Sequence, residues 1–95
     1  MYHFVVMELE KVIFGLNSKL RLNILKILCE KDMSAPEILH KLKQNPLYRQ
    51  YVNRELEVLK DCLLVSKYYD DKGKKLLYHI EKKEITIDLT QLKIN

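Results

Sequence analysis

The chain has 95 residues, 47% of them apolar, and its 17 basic against 13 acidic side chains give a formal net charge of +4. That length suits one domain with one core and excludes two, and the apolar share excludes a disordered tail. The basic excess favours an anionic partner such as nucleic acid over an acidic one.

No stretch approaches the ~20 apolar residues of a membrane span. The apolar start from Met1 to Met7 lacks a basic flank and stops at Glu8, too soon for a leader. A cytoplasmic protein with no membrane partner is expected. Cys29 and Cys62 stand far apart, with no CxxC spacing, and read as free thiols of a reducing compartment.

The first predicted element is a helix from about Phe4 to Gly15. Val5, Leu9, Val12, Ile13 and Leu16 fall on one helical stripe, and Phe4, Met7 and Phe14 form a second beside it. A helix on a small domain needs one apolar face for its own core, so the surplus predicts a second buried surface. Phe4, Val5, Met7, Leu9, Val12, Ile13 and Phe14 are therefore the expected homodimer interface. Gly15 weakens the end of this helix.

Asn17 or Ser18 can N-cap the next helix, which is expected to reach Glu30. Leu20, Ile24, Leu25, Ile27 and Leu28 make it the central core helix. Ser34-Ala35-Pro36-Glu37 then has capping-box spacing, with proline tolerated in the first turn. This third helix is short, ends near Gln44 and turns Ile38, Leu39 and Leu42 inward. Asn45-Pro46 breaks the chain and restarts it as a fourth helix that runs to about Asp61. Its predicted buried stripe is Val52, Leu56, Leu59 and Leu63. Gln50, Arg54, Glu57 and Asp61 lie opposite that stripe, with Tyr51 and Asn53 on its flanks.

The period then changes. Leu64 to Tyr69 and Lys75 to Ile80 are β-prone runs around the charged turn Asp70-Asp71-Lys72-Gly73-Lys74, where Gly73 can supply a left-handed conformation. In the tail, Ile85, Ile87 and Leu89 alternate as in a strand, while Ile85, Leu89 and Leu92 also fit a helix. The β-branched residues of Glu84-Ile85-Thr86-Ile87 tip the reading toward an extended start.

Two helices joined by a short break and followed by a hairpin predict a mainly α fold with a β-hairpin wing, the winged helix-turn-helix. In such a fold the second helix of the pair enters the DNA major groove and the hairpin reaches the backbone. The expected DNA contacts are Arg49, Gln50, Tyr51, Asn53 and Arg54 on the helix and Lys72, Lys74 and Lys75 on the wing. Glu57 and Asp61 should lie farther from phosphates. Within a single domain spanning residues 1–95, residues 1–16 form the dimerisation helix. Residues 17–80 form the winged core, and 81–95 an extension that assists the dimer.

The segments LNSKLRLNILKILCEKDMSAPEIL and YVNRELEVLKDCLLVSKYYDDKGKKLLYHI resemble winged-helix repressors of the ArsR type. The run L-x-V-L-K-D-x-x-L-V from Leu56 to Val65 carries the resemblance furthest. It implies a homodimeric transcription regulator, a repressor, that binds double-stranded DNA sequence-specifically. Metal sensing is not implied. The Cys-x-Cys pair used by many members is replaced by Met33-Ser34-Ala35-Pro36, and no histidine follows His79 for a C-terminal site.

His3, His40 and His79 lack paired ligand spacing, so neither a metal nor a cofactor is expected. No glycine-rich phosphate loop, HExxH or GxSxG occurs, and an enzyme is not expected. Tyr68-Tyr69 reads as hairpin packing and Cys62 as a buried filler. The sequence names no small-molecule effector. The reading from another class is a winged helix used for protein–protein contact without sequence-specific DNA binding.

Overall fold

The computed structural model describes residues 2–43, 48–88, 90 and 93–94. These form four helices, α1 (Tyr2–Leu16), α2 (Lys19–Leu28), α3 (Ala35–Lys41) and α4 (Arg49–Asp61). Two strands follow, β1 (Val65–Asp70) and β2 (Lys75–Ile80), paired antiparallel with Val65 opposite Ile80 and Asp70 opposite Lys75. The tail adds a second antiparallel pair, β3 (Ile87–Asp88) with β4 (Lys93–Ile94), and β4 lies against α1. Helices first and a hairpin after them is an order compatible with a winged-helix layout.

The caps follow from local chemistry. Ser18, in extended conformation, accepts the Arg21 amide through its hydroxyl and starts α2. Ser34 and Glu37 close the expected capping box: Ser34 Oγ accepts the Glu37 amide at 3.3 Å, and Glu37 Oε1 accepts the Ser34 amide at 3.1 Å. Tyr48 sits at the N-cap of α4 and provides no side-chain bond there. The expected start of that helix at Asn45 and Pro46 lies outside the described residues.

The core draws Ile24, Leu25 and Leu28 from α2, Ile38 and Leu39 from α3, and Val52, Leu56 and Leu59 from α4. Val65, Tyr78 and Ile80 close it from the hairpin, and Val12 reaches it from α1. Each fully buried aliphatic side chain contributes about 1.5–3 kcal/mol. One charged pair is set into this packing. Arg21 Nη1 donates to Glu55 Oε2 at 2.8 Å, while its other nitrogens donate to the carbonyls of Phe14 and Gly15.

Several expectations are corrected. α2 and α3 are shorter than expected, ending at Leu28 and Lys41. Leu63 does not complete the buried stripe of α4: it is 56% exposed with φ 64, because the helix stops at Asp61 and the chain turns through a left-handed residue. Glu55 is buried on that stripe instead. In the hairpin turn, Lys74 holds the positive φ of 52 and Gly73 does not. Gly73 makes room for the Asp70 carboxylate, which accepts the amides of Lys72 and Gly73 at 3.2 and 3.1 Å. A third backbone ladder was not foreseen: Met33 bridges Tyr78 through two backbone bonds of 3.2 and 2.8 Å, tying the α2–α3 turn to β2. The tail adopts the extended start, and Leu89 and Leu92 lie outside the described residues.

Gly15 has a packing role as well as a helix-weakening one. A Cβ there would lie 2.6 Å from Leu64 Cδ1 and 3.3 Å from Cys62 Cβ, so the missing side chain lets α1 approach the α4–β1 junction. Both of those neighbours are buried. Gly15→Ala should therefore destabilise by about 1–3 kcal/mol, as overpacking does, although helix propensity alone favours alanine by about 0.5–1 kcal/mol. Chemical denaturation decides between the two effects, and a gain in stability would show that the junction has room.

Candidate nucleic-acid interface

α4 and the hairpin enclose an open cleft of about 550 Å³ against the start of α3. Arg49 and Asn53 line it from α4, Lys67 and Lys75 from the hairpin, and Ala35 and Pro36 from α3. Of the eight side chains proposed from sequence, the fold brings Arg49, Asn53 and Lys75 to this cleft. Gln50, Tyr51 and Arg54 are exposed on the neighbouring outward surface of α4, and Lys72 and Lys74 are exposed at the hairpin turn. Arg54 lies over the Tyr51 ring, 5.3 Å from Cζ to centroid.

The lysines differ in how free they are. Lys75 Nζ donates to Glu37 Oε1 at 2.9 Å, so this expected wing cation is already engaged. The bond from Lys75, with those from the Ser34 amide and hydroxyl, pulls the Glu37 carboxyl down to about 2 from an ordinary 4.5. Lys67 is likewise tied, 3.3 Å from Glu57. Among the described residues, Arg49, Arg54, Lys72 and Lys74 form no salt bridge.

Glu57, expected to lie farther from phosphates than the basic residues, also lines the cleft. Burial works against its ionisation, but bonds from Lys60, Tyr78 and Lys67 hold its carboxyl below the usual value. Burial and that same carboxylate push the Tyr78 phenol up to about 12. A third acidic anchor sits on the other side of the hairpin. Asp32 accepts the Tyr68 hydroxyl, and His79 Nδ1 lies 2.8 Å from its Oδ1. Burial opposes the Asp32 charge, and these two partners outweigh it, so its carboxyl also stays low. Burial raises the Cys62 thiol.

The proposed partner surface divides. Leu9 and Val12 are buried within the chain, so they serve its own packing. Ile13 and Phe14 are 52% and 58% exposed. The side chains of Phe4, Val5 and Met7 lie outside the described residues.

Sequence reasoning missed Glu37, Glu57 and Asp32 as the residues that hold the hairpin. The one signal available was for Glu37 and Glu57, carboxylates set within apolar runs; Asp32, between Lys31 and Met33, gave none. Among the described residues no group of three or more His, Cys, Asp or Glu is placed to hold a metal. No described helix is long and apolar enough to cross a membrane. Compared with known proteins, the chain matches no protein-family model and no curated protein.

The Glu37 tie has a pH signature. Its carboxyl is lower in the folded chain than the ordinary 4.5, so its stabilisation is present above that value and lost as pH falls toward about 2. The stability difference between the parent and Glu37→Gln should be largest at neutral pH and shrink through this window. Denaturant midpoints measured across the range check it. A constant difference would mean that the charge on Glu37 contributes nothing to the fold.

Proposed function

We propose that this protein is a winged helix-turn-helix transcription regulator of the ArsR type, a repressor, that binds double-stranded DNA sequence-specifically as a homodimer. The observation that carries the reading is the charge state of the outward surface of α4. Arg49 and Arg54 are exposed and free of salt bridges among the described residues, beside Gln50 and Asn53. Of the three acidic residues of the same helix, Glu55 and Glu57 are bonded to cations, on α2 for the first and on α4 and β1 for the second, and Asp61 is exposed at the C-terminal end, away from Arg49 and Arg54. Arginine, glutamine and asparagine are the side chains whose paired donors and acceptors match base edges in the major groove. Lys72 and Lys74, on the turn that Asp70 shapes, supply point charges for phosphate.

In the proposed dimer, Ile13 and Phe14 of α1 supply apolar contact, and two-fold symmetry sets the recognition helices about 34 Å apart, one turn of DNA. A second reading, a protein-interaction module, draws on Tyr69 and Leu76. These two are register partners on the hairpin and both are exposed.

Selection of bound duplexes from a random pool tests the main reading, with an enriched palindrome expected. Replacing Lys72 and Lys74 together by Ala should weaken preferred and scrambled duplexes alike. It should also lower the slope of log affinity against log salt by about 0.9 per lost phosphate contact. Lys75→Ala should change the slope less, since Glu37 already neutralises it. Failure to enrich any sequence, with no salt-dependent binding, would favour the protein-interaction reading.

The dimer has its own check. Ile13→Glu places a charge on the exposed side of α1 and should leave a folded monomer with weakened DNA affinity. Light scattering reports the mass, and an unchanged dimer would move the interface elsewhere.

A further inference from the structure

We propose that Tyr51 and Arg54 form a guanine-reading unit on α4, in which Tyr51 is a positioning residue that presents the guanidinium of Arg54 to a base edge. The inference rests on the DNA-binding reading above and adds what that surface recognises.

Three observations carry it. The first is the stack itself, with Arg54 Cζ 5.3 Å from the Tyr51 ring centroid across one turn of helix. A guanidinium lying on a ring face keeps its N–H donors directed outward in its own plane, and loses less freedom when they bond. The second is the position of the ring. Tyr51 is 43% exposed at the seam between α2 and α4, where it lines an open hollow with Leu20 and Val52, so the stacked pair is accessible from solvent.

The third is the absence of a competing carboxylate. The acids nearest Arg54 along the helix are Glu55 and Glu57. Glu55 is held by Arg21 at 2.8 Å. Glu57 is shared among Lys60, Lys67 and the Tyr78 hydroxyl. Among the described residues Arg54 therefore has an aromatic partner and no anionic one. An arginine fork matches the O6 and N7 acceptors of guanine with two bonds, a geometry a lysine ammonium lacks. A phosphate could take the same fork, and the two targets separate by their dependence on sequence.

The experiment uses the full chain and the duplex selected from a random pool. Kd is measured for that duplex, for each single base-pair change and for a scrambled duplex. The parent is compared with Arg54→Lys, Tyr51→Ala and Tyr51→Phe, with circular dichroism to establish that each variant is folded. The parent should show one G·C pair per half-site whose replacement weakens binding about 5- to 150-fold. Arg54→Lys and Tyr51→Ala should lose most of that discrimination, while Tyr51→Phe, which keeps the ring face, should retain it. Parent-like discrimination in Tyr51→Ala or in Arg54→Lys would overturn the proposal. So would an equal loss on every duplex, which would mark Arg54 as a phosphate contact. If the parent prefers no duplex at all, the DNA-binding reading falls with it. A clear preference that ignores Tyr51 and Arg54 sinks this inference alone.

Discussion

Arg21 is the joint on which the helical layers depend. Its side chain is 11% exposed and its three nitrogens bond to three acceptors on two other elements, α1 and α4. The last carbonyls of a helix have no partner within it, and Arg21 Nη2 and Nε donate to Phe14 and Gly15 at 3.0 and 3.1 Å. Nη1 neutralises Glu55, which α4 otherwise carries into the core as a lone charge. The guanidinium also lies 5.1 Å from the Phe14 ring centroid. Such a pair adds little net stability compared with a well-packed apolar one, but losing one half strands the other, at a cost of about 3–5 kcal/mol. The consequence is positional. α1, α2 and α4 are held in one relation, and the outward surface of α4 is determined by what Arg21 holds inside.

The hairpin is held by a different kind of tie. Its backbone bonds to Met33 and its buried Val65, Tyr78 and Ile80 set it against the helices. Around these, carboxylates from three segments reach its side chains: Asp32 of the α2–α3 turn, Glu37 of α3 and Glu57 of α4. Exposed ion pairs of this sort contribute little individually. Their arrangement matters more than their sum, because each limits how the two-stranded arm can swing. The fold thus joins the tightly packed α4 to an arm restrained from both sides.

Much of this was legible in the chain, and the failures have a common cause. The capping box at Ser34 and Glu37, the apolar stripes of α2 and α3, and the strand Lys75 to Ile80 follow from local rules, and the structure contains all of them. The exposure of Gln50 and Arg54 followed from the helical wheel in the same way. Glu55 was readable in principle, since Val52, Glu55, Leu56 and Leu59 keep the spacing of one buried face; its charge concealed it. Leu63 was placed on that face by extending the period two residues past the helix end. The Lys75–Glu37 contact spans 38 positions, and no local rule reaches that far. Gly73 was assigned a backbone role where the turn needed space for a carboxylate, a distinction that only the Asp70 side chain reveals.

These long-range pairings also decide what the net charge means. A formal +4 spread evenly over 95 residues would be a weak argument for any anionic partner. The charges are not spread evenly once the chain folds. Glu55 is withdrawn into the core with Arg21, and Glu57 and Glu37 are neutralised by lysines at the cleft. Along α4 the charges are thereby sorted, with Glu55 bonded inward, Glu57 bonded sideways, Asp61 exposed at the C-terminal end, and Arg49 and Arg54 left outward. On the proposed reading, affinity for DNA depends less on how many lysines and arginines the chain carries than on how many carboxylates the packing has already engaged. Core packing and recognition are then one problem, because the arginine that secures the helices also removes a negative charge from the helix that faces the ligand.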